Sequence, residues 1–109
     1  MDHHKAYENI YRGTLIRVID GDSLIVNLHL GLGVVLEKQR IRLKNVYAPE
    51  IRDEHGADCK DYLEALLSES FTVITHQMDK YGRHVSEIIT DFEISVNKKM
   101  CRYIGTFKK

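Results

Sequence analysis

Hydrophobic and polar residues alternate along the first half of the chain with the two-residue period of β-strands. Residues 13–19 are rich in β-forming side chains and stop at Asp20-Gly21-Asp22, a sequence typical of turns. Residues 23–30 alternate cleanly, and residues 34–46 form a third strand after the turn at Gly31-Leu32-Gly33. Three consecutive antiparallel strands of this kind predict a coiled meander and hence a barrel.

The same alternation predicts which side chains fill the core. In the second strand the residues expected to share one face are Leu24, Val26, Leu28 and Leu30. In the third strand Ile41 and Leu43 face one way, and the residues facing the other way are Arg40, Arg42 and Lys44. The third strand therefore carries a basic outer face over an apolar inner face.

The second half of the chain mixes helical and strand patterns. Residues 57–68 predict an amphipathic helix whose apolar stripe is Tyr62, Leu63, Leu66 and Leu67. Strands are predicted at residues 71–75 and 85–90 around a loop at 78–83, and Ser95 is placed to cap a last helix to about Tyr103. The order β-β-β-α-β-β-α predicts a mainly β, α+β fold, an OB-fold barrel of five strands with two helices. We expect one domain over residues 1–109, with a core at about 11–105.

Composition and charge indicate an ordinary globular protein but say little about its function. The chain has 109 residues, 43% hydrophobic and 29% charged, as in ordinary globular domains. No apolar run is long enough to span a membrane, and the polar start, without a signal sequence, predicts a cytoplasmic protein with no membrane partner. The formal net charge is zero, so a basic excess does not point to nucleic acid. The basic run at 98–109 and the acidic run at 53–69 are interpreted as solvated surfaces.

Cys59 and Cys101 lie outside any metal-ligand spacing and are predicted to be buried thiols rather than a disulfide or zinc site.

Four short segments carry residues capable of chemistry. Asp20-Gly21-Asp22 is either a hairpin turn or a pair of oxygen ligands for a hard cation such as calcium. Arg42 is either solvated or a bidentate phosphate clamp. Glu50 follows the rigid Pro49, and the loop at 79–83 holds a tyrosine and an arginine before a strand. Each segment has an ordinary structural explanation when taken alone.

Their order and spacing are more informative. VIDGDS at 18–23, RLKNVYAPE at 42–50 and DKYGR at 79–83 together resemble the signature of the staphylococcal nuclease (thermonuclease) family, small copies of which occur in bacteria and their phages. The resemblance extends from about Thr14 to Ile104. It implies a calcium-dependent endonuclease, a phosphodiesterase acting on DNA or RNA, with nucleic acid or nucleotide as partner.

The resemblance also implies roles for individual residues. Calcium would be held by Asp22, with support from Asp20 and the carbonyl of Ala48. Glu50 would act as general base, and the remaining implied roles are phosphate binding by Arg42 and Arg83 and nucleotide contact by Tyr81 and Lys80. A dication and two guanidinium groups offset the charge of the phosphorane, and a carboxylate orients the attacking water.

One departure affects the implied metal site. The family has a second calcium carboxylate two residues before the proline, whereas this chain has Tyr47. A phenol is neutral at pH 7 and is a poor ligand for a hard cation, so we expect weak calcium binding and slow or absent catalysis. The neutral net charge and the absence of a predicted third helix point the same way. A weak nuclease and a non-catalytic module that binds nucleic acid or a protein partner both stay open.

Overall fold

Five strands wrap into a closed barrel in the computed structural model, which describes residues 9–107. The strands are β1 (Asn9–Asp20), β2 (Ser23–Gly31), β3 (Val34–Leu43), β4 (Ser70–Met78) and β5 (His84–Ile89). The helices are α1 (Gly56–Leu66), between β3 and β4, and α2 (Val96–Gly105), after β5. The predicted fold class, a mainly β barrel of five strands with two helices, is confirmed.

The strand order around the barrel is β1-β2-β3-β5-β4. Strand β1 is antiparallel to both β2 and β4, which lets one long strand join the two halves of the barrel. The barrel closes where β3 meets β5, and this is a parallel pairing of Ile41–Leu43 with His84–Ser86. This short seam brings Arg40 and Arg42, at the end of β3, beside the start of β5.

The interior is filled by the alternating apolar residues of the strands and the inner faces of the helices. Of the predicted inward set, Leu24, Val26, Leu28, Ile41 and Leu43 are all buried. Leu30 is 43% exposed, so its predicted burial is wrong. The β2–β3 hairpin runs past the residues of β3 that pair with β5, and its end projects beyond the closed barrel.

Several element boundaries differ from the prediction. Strand β1 begins at Asn9, and β4 extends to Met78, which shortens the predicted loop before β5 to residues 79–83. Strand β3 ends at Leu43 rather than Val46, because Asn45 turns the chain with a left-handed φ of 62°. This turn releases residues 44–50 from the barrel wall and makes them a loop.

Both helices pack through the faces that the sequence predicts. In α1, Leu63 is buried, and the rest of the stripe, Tyr62, Leu66 and the following Leu67, is half-buried against the core. At the start of α2 the Lys98 amide donates a hydrogen bond of 3.2 Å to the Ser95 hydroxyl, which confirms the predicted cap. Within residues 9–107, neither helix has the length and apolar character needed to cross a membrane.

The cysteines confirm half of their prediction. Both are free thiols, and Cys59 is buried on α1. Cys101 is exposed, so its predicted burial is wrong. Its thiol donates a hydrogen bond of 3.3 Å to the Asn45 carbonyl, in the turn after β3.

A buried asparagine fastens α2 to the seam of the barrel. The Asn97 amide nitrogen donates to the carbonyls of Lys44 at 3.0 Å and Ser86 at 3.1 Å. Its oxygen accepts the Ile88 amide at 3.0 Å. One side chain therefore bonds to residues next to β3 and within β5, beside the parallel pairing of these strands.

Candidate active site

The turn between β1 and β2 holds two carboxylates in a fixed arrangement. The Asp22 amide donates to Asp20 Oδ1 at 3.1 Å, and the Ser23 hydroxyl donates to Asp22 Oδ1 at 3.0 Å. The Ala48 amide donates to Asp22 Oδ2 at 3.1 Å. These bonds connect the turn to the loop after β3, so Asp20, Asp22 and Ala48 lie together as predicted.

Gly21 makes this connection possible by its small size. A Cβ atom at this position would lie 2.7 Å from the Cβ atoms of both Ala48 and Cys59. The turn therefore packs directly against the loop and against α1, without room for a side chain. The carboxylates are positioned by close packing as well as by hydrogen bonds.

The environment of Asp22 disfavours its charge. Burial raises the pKa of Asp22 from 3.8 to about 6, and the neighbouring Asp20 adds to the rise through its hydrogen bond and its negative charge. The Ala48 amide and the Arg42 guanidinium act in the opposite direction but only in part. The turn therefore holds negative charge that its protein partners do not fully offset.

Arg42 reaches this turn from the end of β3. Its Nη1 atom lies 3.7 Å from Asp22 Oδ2 and donates a hydrogen bond of 3.3 Å to the Val46 carbonyl. Its guanidinium carbon lies 5.3 Å from the centre of the Tyr47 ring. The side chain is only 20% exposed, so these contacts hold its guanidinium beside the carboxylates.

Tyr47 occupies the position at which the family resemblance implies a further calcium carboxylate. Its side chain is exposed and lies against Arg42 rather than supplying a carboxylate. Over the described part of the chain, no cluster of three or more histidine, cysteine or acidic residues could hold a metal ion. Two carboxylates with incompletely offset charge do fit a hard cation, although with few protein ligands. The Ala48 carbonyl remains a predicted ligand, because only its amide has a recorded contact with Asp22.

Glu50 lies on the same loop with its carboxylate in solvent. Its side chain is 69% exposed and pairs with Arg52 at 3.3 Å. The backbone is better fixed, because the Asp53 amide donates to the Glu50 carbonyl at 2.8 Å. Gly56 also packs against this carbonyl so closely that a Cβ atom would lie 1.9 Å from the oxygen. The loop is therefore held firmly while the carboxylate stays accessible to water.

The loop before β5 is organised by Asp79. Its Oδ1 atom accepts the amides of Tyr81 and Arg83, both at 2.9 Å, and its Oδ2 atom accepts Arg83 Nε at 2.8 Å. The backbone hydrogen bond from Arg83 is the largest of the effects that lower the pKa of Asp79. The Asp79 carboxylate therefore sets both the fold of the loop and the direction of the Arg83 side chain.

Tyr81 stands at the tip of this loop, 61% exposed. The Lys80 ammonium lies 5.4 Å and the Arg83 guanidinium 5.3 Å from the centre of its ring. The Arg40 guanidinium donates a hydrogen bond to the Tyr81 carbonyl, which connects the loop to the outer face of β3. An aromatic ring flanked by two cations suits contact with a nucleotide base and its phosphate.

The predicted site residues thus form two clusters along the β3–β5 seam. The first contains Asp20, Asp22, Arg42, Tyr47 and Ala48, and the second contains Lys80, Tyr81 and Arg83. Pairing of Arg42 with Val85 sets the clusters on adjacent strands. Across residues 9–107, no hydrogen bond or ion pair joins Glu50 or Arg83 to the first cluster.

The sequence did not reveal the positioning roles of two residues, Asp79 and Gly56, or one contact of the site. Asp79 was treated as part of a turn, although Asp at the start of a glycine loop is a known signal for side-chain bonding to the backbone two residues on. Gly56 carried no signal in the sequence, because its role depends on a backbone approach from Glu50. The contact between Tyr47 and Arg42 was also not anticipated.

Known proteins resemble this chain over most of its length. Residues 40–103 match the model of the family described as staphylococcal nuclease homologue. An uncharacterized endonuclease of Escherichia coli O157:H7 is 30% identical over 94 residues, covering 83% of this chain and 56% of that protein. Endonuclease YhcR of Bacillus subtilis strain 168 is 33% identical over 110 residues, covering 87% of this chain but 9% of the relative. Protein ParB of Escherichia coli is 28% identical over 87 residues, covering 77% of this chain and 45% of that protein. The chain thus spans about half the length of the Escherichia coli relatives.

Proposed function

This chain belongs to the staphylococcal nuclease homologue family, and on that premise we propose that it hydrolyses phosphodiester bonds of DNA or RNA with the help of a divalent cation. The observation that carries the proposal is the packed cluster of Asp20, Asp22 and Arg42. The Arg42 guanidinium lies 3.7 Å from the Asp22 carboxylate at one edge of the barrel, and Asp20 accepts a hydrogen bond of 3.1 Å from the Asp22 amide. Opposite charges held so closely suit a phosphate group bridged to a cation.

The two arginines would bind the phosphate from adjacent strands. Arg42 is held by its contacts with Asp22 and the Val46 carbonyl, and Arg83 is held by Asp79. Both guanidinium groups are therefore oriented before substrate arrives, so little reorganisation is needed as negative charge increases on the phosphate. Tyr81 and Lys80 would contact the neighbouring nucleotide.

Glu50 would accept the proton of the attacking water. Its carboxylate is exposed on a backbone fixed by Asp53 and Gly56, which lets the side chain move toward a bound phosphate and away from Arg52. General bases in apo structures often reach their working distance only when substrate is present. Until then the carboxylate would stay paired with Arg52.

Asp22 and Asp20 would hold the cation, together with the Ala48 carbonyl. The cation, calcium in the family, would supply positive charge to the reacting phosphate. The raised pKa of Asp22 supports this assignment, because a positive ion would offset the repulsion between the two carboxylates. With Tyr47 in place of an acid, we expect weak binding that requires millimolar metal concentrations.

Tyr47 also favours a second function. Tyr47 is 67% exposed and contributes no charge, so the fold could serve as a binding module that recognises nucleic acid without cleaving it. Such a module would keep the phosphate contacts of Arg42 and Arg83. A protein partner on the same face is the remaining form of this alternative.

Cleavage of labelled single-stranded DNA in millimolar calcium, magnesium or manganese tests the first function. We expect cleavage that EDTA stops, and a loss of about 10²–10⁴-fold in Glu50→Gln. Glu54→Gln is the matched control, because Glu54 is an exposed acid of the same loop, and its cleavage rate should equal that of the wild type. An intact substrate with all three metals would contradict the nuclease proposal and favour the binding module.

Restoring the missing acid separates the two functions further. In Tyr47→Asp the cation gains a third carboxylate, so calcium affinity and cleavage rate should rise together. Isothermal titration calorimetry gives the affinity, and the DNA assay gives the rate. A variant that binds calcium more tightly without any gain in cleavage would support a module that does not catalyse.

A further inference from the structure

A groove lined by basic residues lies beside the candidate active site, between α2 and the seam of the barrel. It has a volume of about 410 Å³. It is lined by Lys44, Asn45, Glu87, Ser95, Asn97, Lys98, Cys101 and Arg102. None of these residues belongs to the predicted catalytic or metal-binding set.

The charge of the groove is positive. Lys44 enters from the end of β3, and Lys98 and Arg102 project from α2 four positions apart, which places them on one helix face. Within residues 9–107, none of these three side chains forms an ion pair. The lining contains one acid, Glu87, whose carboxylate lies 2.8 Å from His76 Nε2. Three cations therefore remain available in a protein whose formal net charge is zero.

The groove is continuous with the candidate active site. A neighbouring cavity of about 270 Å³ shares Lys44 and Asn45 with it, and this cavity is also lined by Arg42 and Tyr47. The two adjoining cavities thus form a continuous concave surface from Arg42 to Arg102. Its walls belong to β3, β5 and α2, which Asn97 fastens to each other.

We propose that this groove binds the sugar–phosphate backbone of single-stranded nucleic acid as the strand leaves the candidate active site. The proposal rests on the proposed function, because the strand must first be held at Arg42. The groove is of the size that holds a small ligand, so it accommodates nucleotides of one strand rather than a duplex. A row of unpaired cations suits phosphates, since they bind by displacing counterions. The first turn of α2, which lies at the groove, adds partial positive charge.

Fluorescence anisotropy in EDTA tests the groove without cleavage. The probe is a labelled single-stranded oligonucleotide of about 20 nucleotides, titrated at several salt concentrations. We expect K44Q/K98Q/R102Q to bind more weakly, and the slope of log affinity against log salt to become shallower by about 2. The matched control R17Q/K38Q/K60Q removes the same charge from β1, the middle of β3 and α1, outside the described cavities, and should bind like the wild type.

A second measurement locates the contact directly. In ¹⁵N-labelled wild-type protein, the oligonucleotide should shift the amide resonances of residues 95–102, and the single variants K98Q and R102Q should each carry part of the loss in affinity. Equal binding by the groove and control variants, or no shift on α2, overturns the proposal even if the protein cleaves DNA. Groove-dependent binding without cleavage would instead contradict the proposed nuclease and leave the groove in place.

Discussion

The β1–β2 turn and the loop before β5 each place an aspartate next to an arginine, but they do so by different means. In the turn, Asp22 is half-buried by packing around Gly21, and its pKa is raised to about 6. In the loop, Asp79 accepts local hydrogen bonds, and its pKa is lowered. Burial thus destabilises the charged form of Asp22, which a nearby positive charge would stabilise, whereas hydrogen bonds already stabilise the charged form of Asp79. The first is suited to hold a cation and the second to hold a neighbouring side chain.

Among the changes that compare the turn with the loop, removal of the arginines should have the largest effect. We expect Arg42→Gln and Arg83→Gln each to lower the cleavage rate by about 10²–10³-fold, because each removes a phosphate donor. Only Arg42→Gln should raise the pKa of Asp22 further, since Arg42 lowers it in the wild type. Carboxyl NMR titration checks this difference. An equal change of the Asp22 pKa in Arg83→Gln would end the distinction between the two regions.

Substituting Gly21 and Gly82 by alanine compares the effect of close packing in the turn with the effect of backbone geometry in the loop. At Gly21 a methyl group would collide with Ala48 and Cys59, and we expect a loss of about 1–3 kcal/mol in the free energy of unfolding. At Gly82 there is more room, with Arg40 at 3.4 Å, but φ is +80°, so we expect a loss of about 1 kcal/mol. Urea unfolding measures both. A larger loss at Gly82 would mean that the loop, rather than the turn, is the constrained region.

The pH dependence of stability reports on Asp22. Its pKa is about 6 in the folded protein and 3.8 as the ordinary value, so the folded state binds the proton more tightly. Between these values a rise in pH therefore favours the unfolded state, and above about pH 6 the loss of stability is complete. In Asp22→Asn this part of the slope should disappear when unfolding is followed in EDTA. An unchanged slope would show that Asp22 is not the responsible group.

The smallest effect is expected in the loop. Asp79→Asn keeps an oxygen for the amides of Tyr81 and Arg83 but loses the ion pair with Arg83. We expect a fall in kcat/KM of about tenfold or less, with most of it in KM, because Arg83 is oriented less firmly. Steady-state cleavage of a short oligonucleotide measures it. A fall as large as that of Arg83→Gln would mean that the loop acts as one unit.

The alternation of side chains predicted the barrel well, because strand period and burial are local properties of the sequence. The inward placement of Ile41 and Leu43 followed from it directly. The cap at Ser95 was also a local property, since serine is a preferred residue at helix N-termini. Leu30 was wrong because it lies where β2 extends past the core, and a period does not say where the core ends. Cys101 was wrong for another reason: it lies on α2 beside the buried Met100 but faces solvent, and its residue type does not say which side of the helix it is on.

The site was predictable as a set of residues but not as an arrangement. The motif order brought Asp22, Arg42 and Ala48 to attention, and the structure places them in contact. The role of Asp79 and the close approach of Gly56 to Glu50 depend on backbone paths that a pattern of residue types does not contain. The groove between α2 and the seam was missed because its cations come from β3 and α2, which are distant in the sequence.

Asn97 also has a consequence for how the chain folds. Its amide joins Lys44, 53 positions earlier in the sequence, to Ser86 in β5, at the seam where the barrel is completed by a short parallel pairing. Such distant pairings form slowly, because a long loop of chain must close before they stabilise anything. We therefore expect the hairpin of β1 and β2 to form early from local contacts, and the β3–β5 pairing and the docking of α2 through Asn97 to form late.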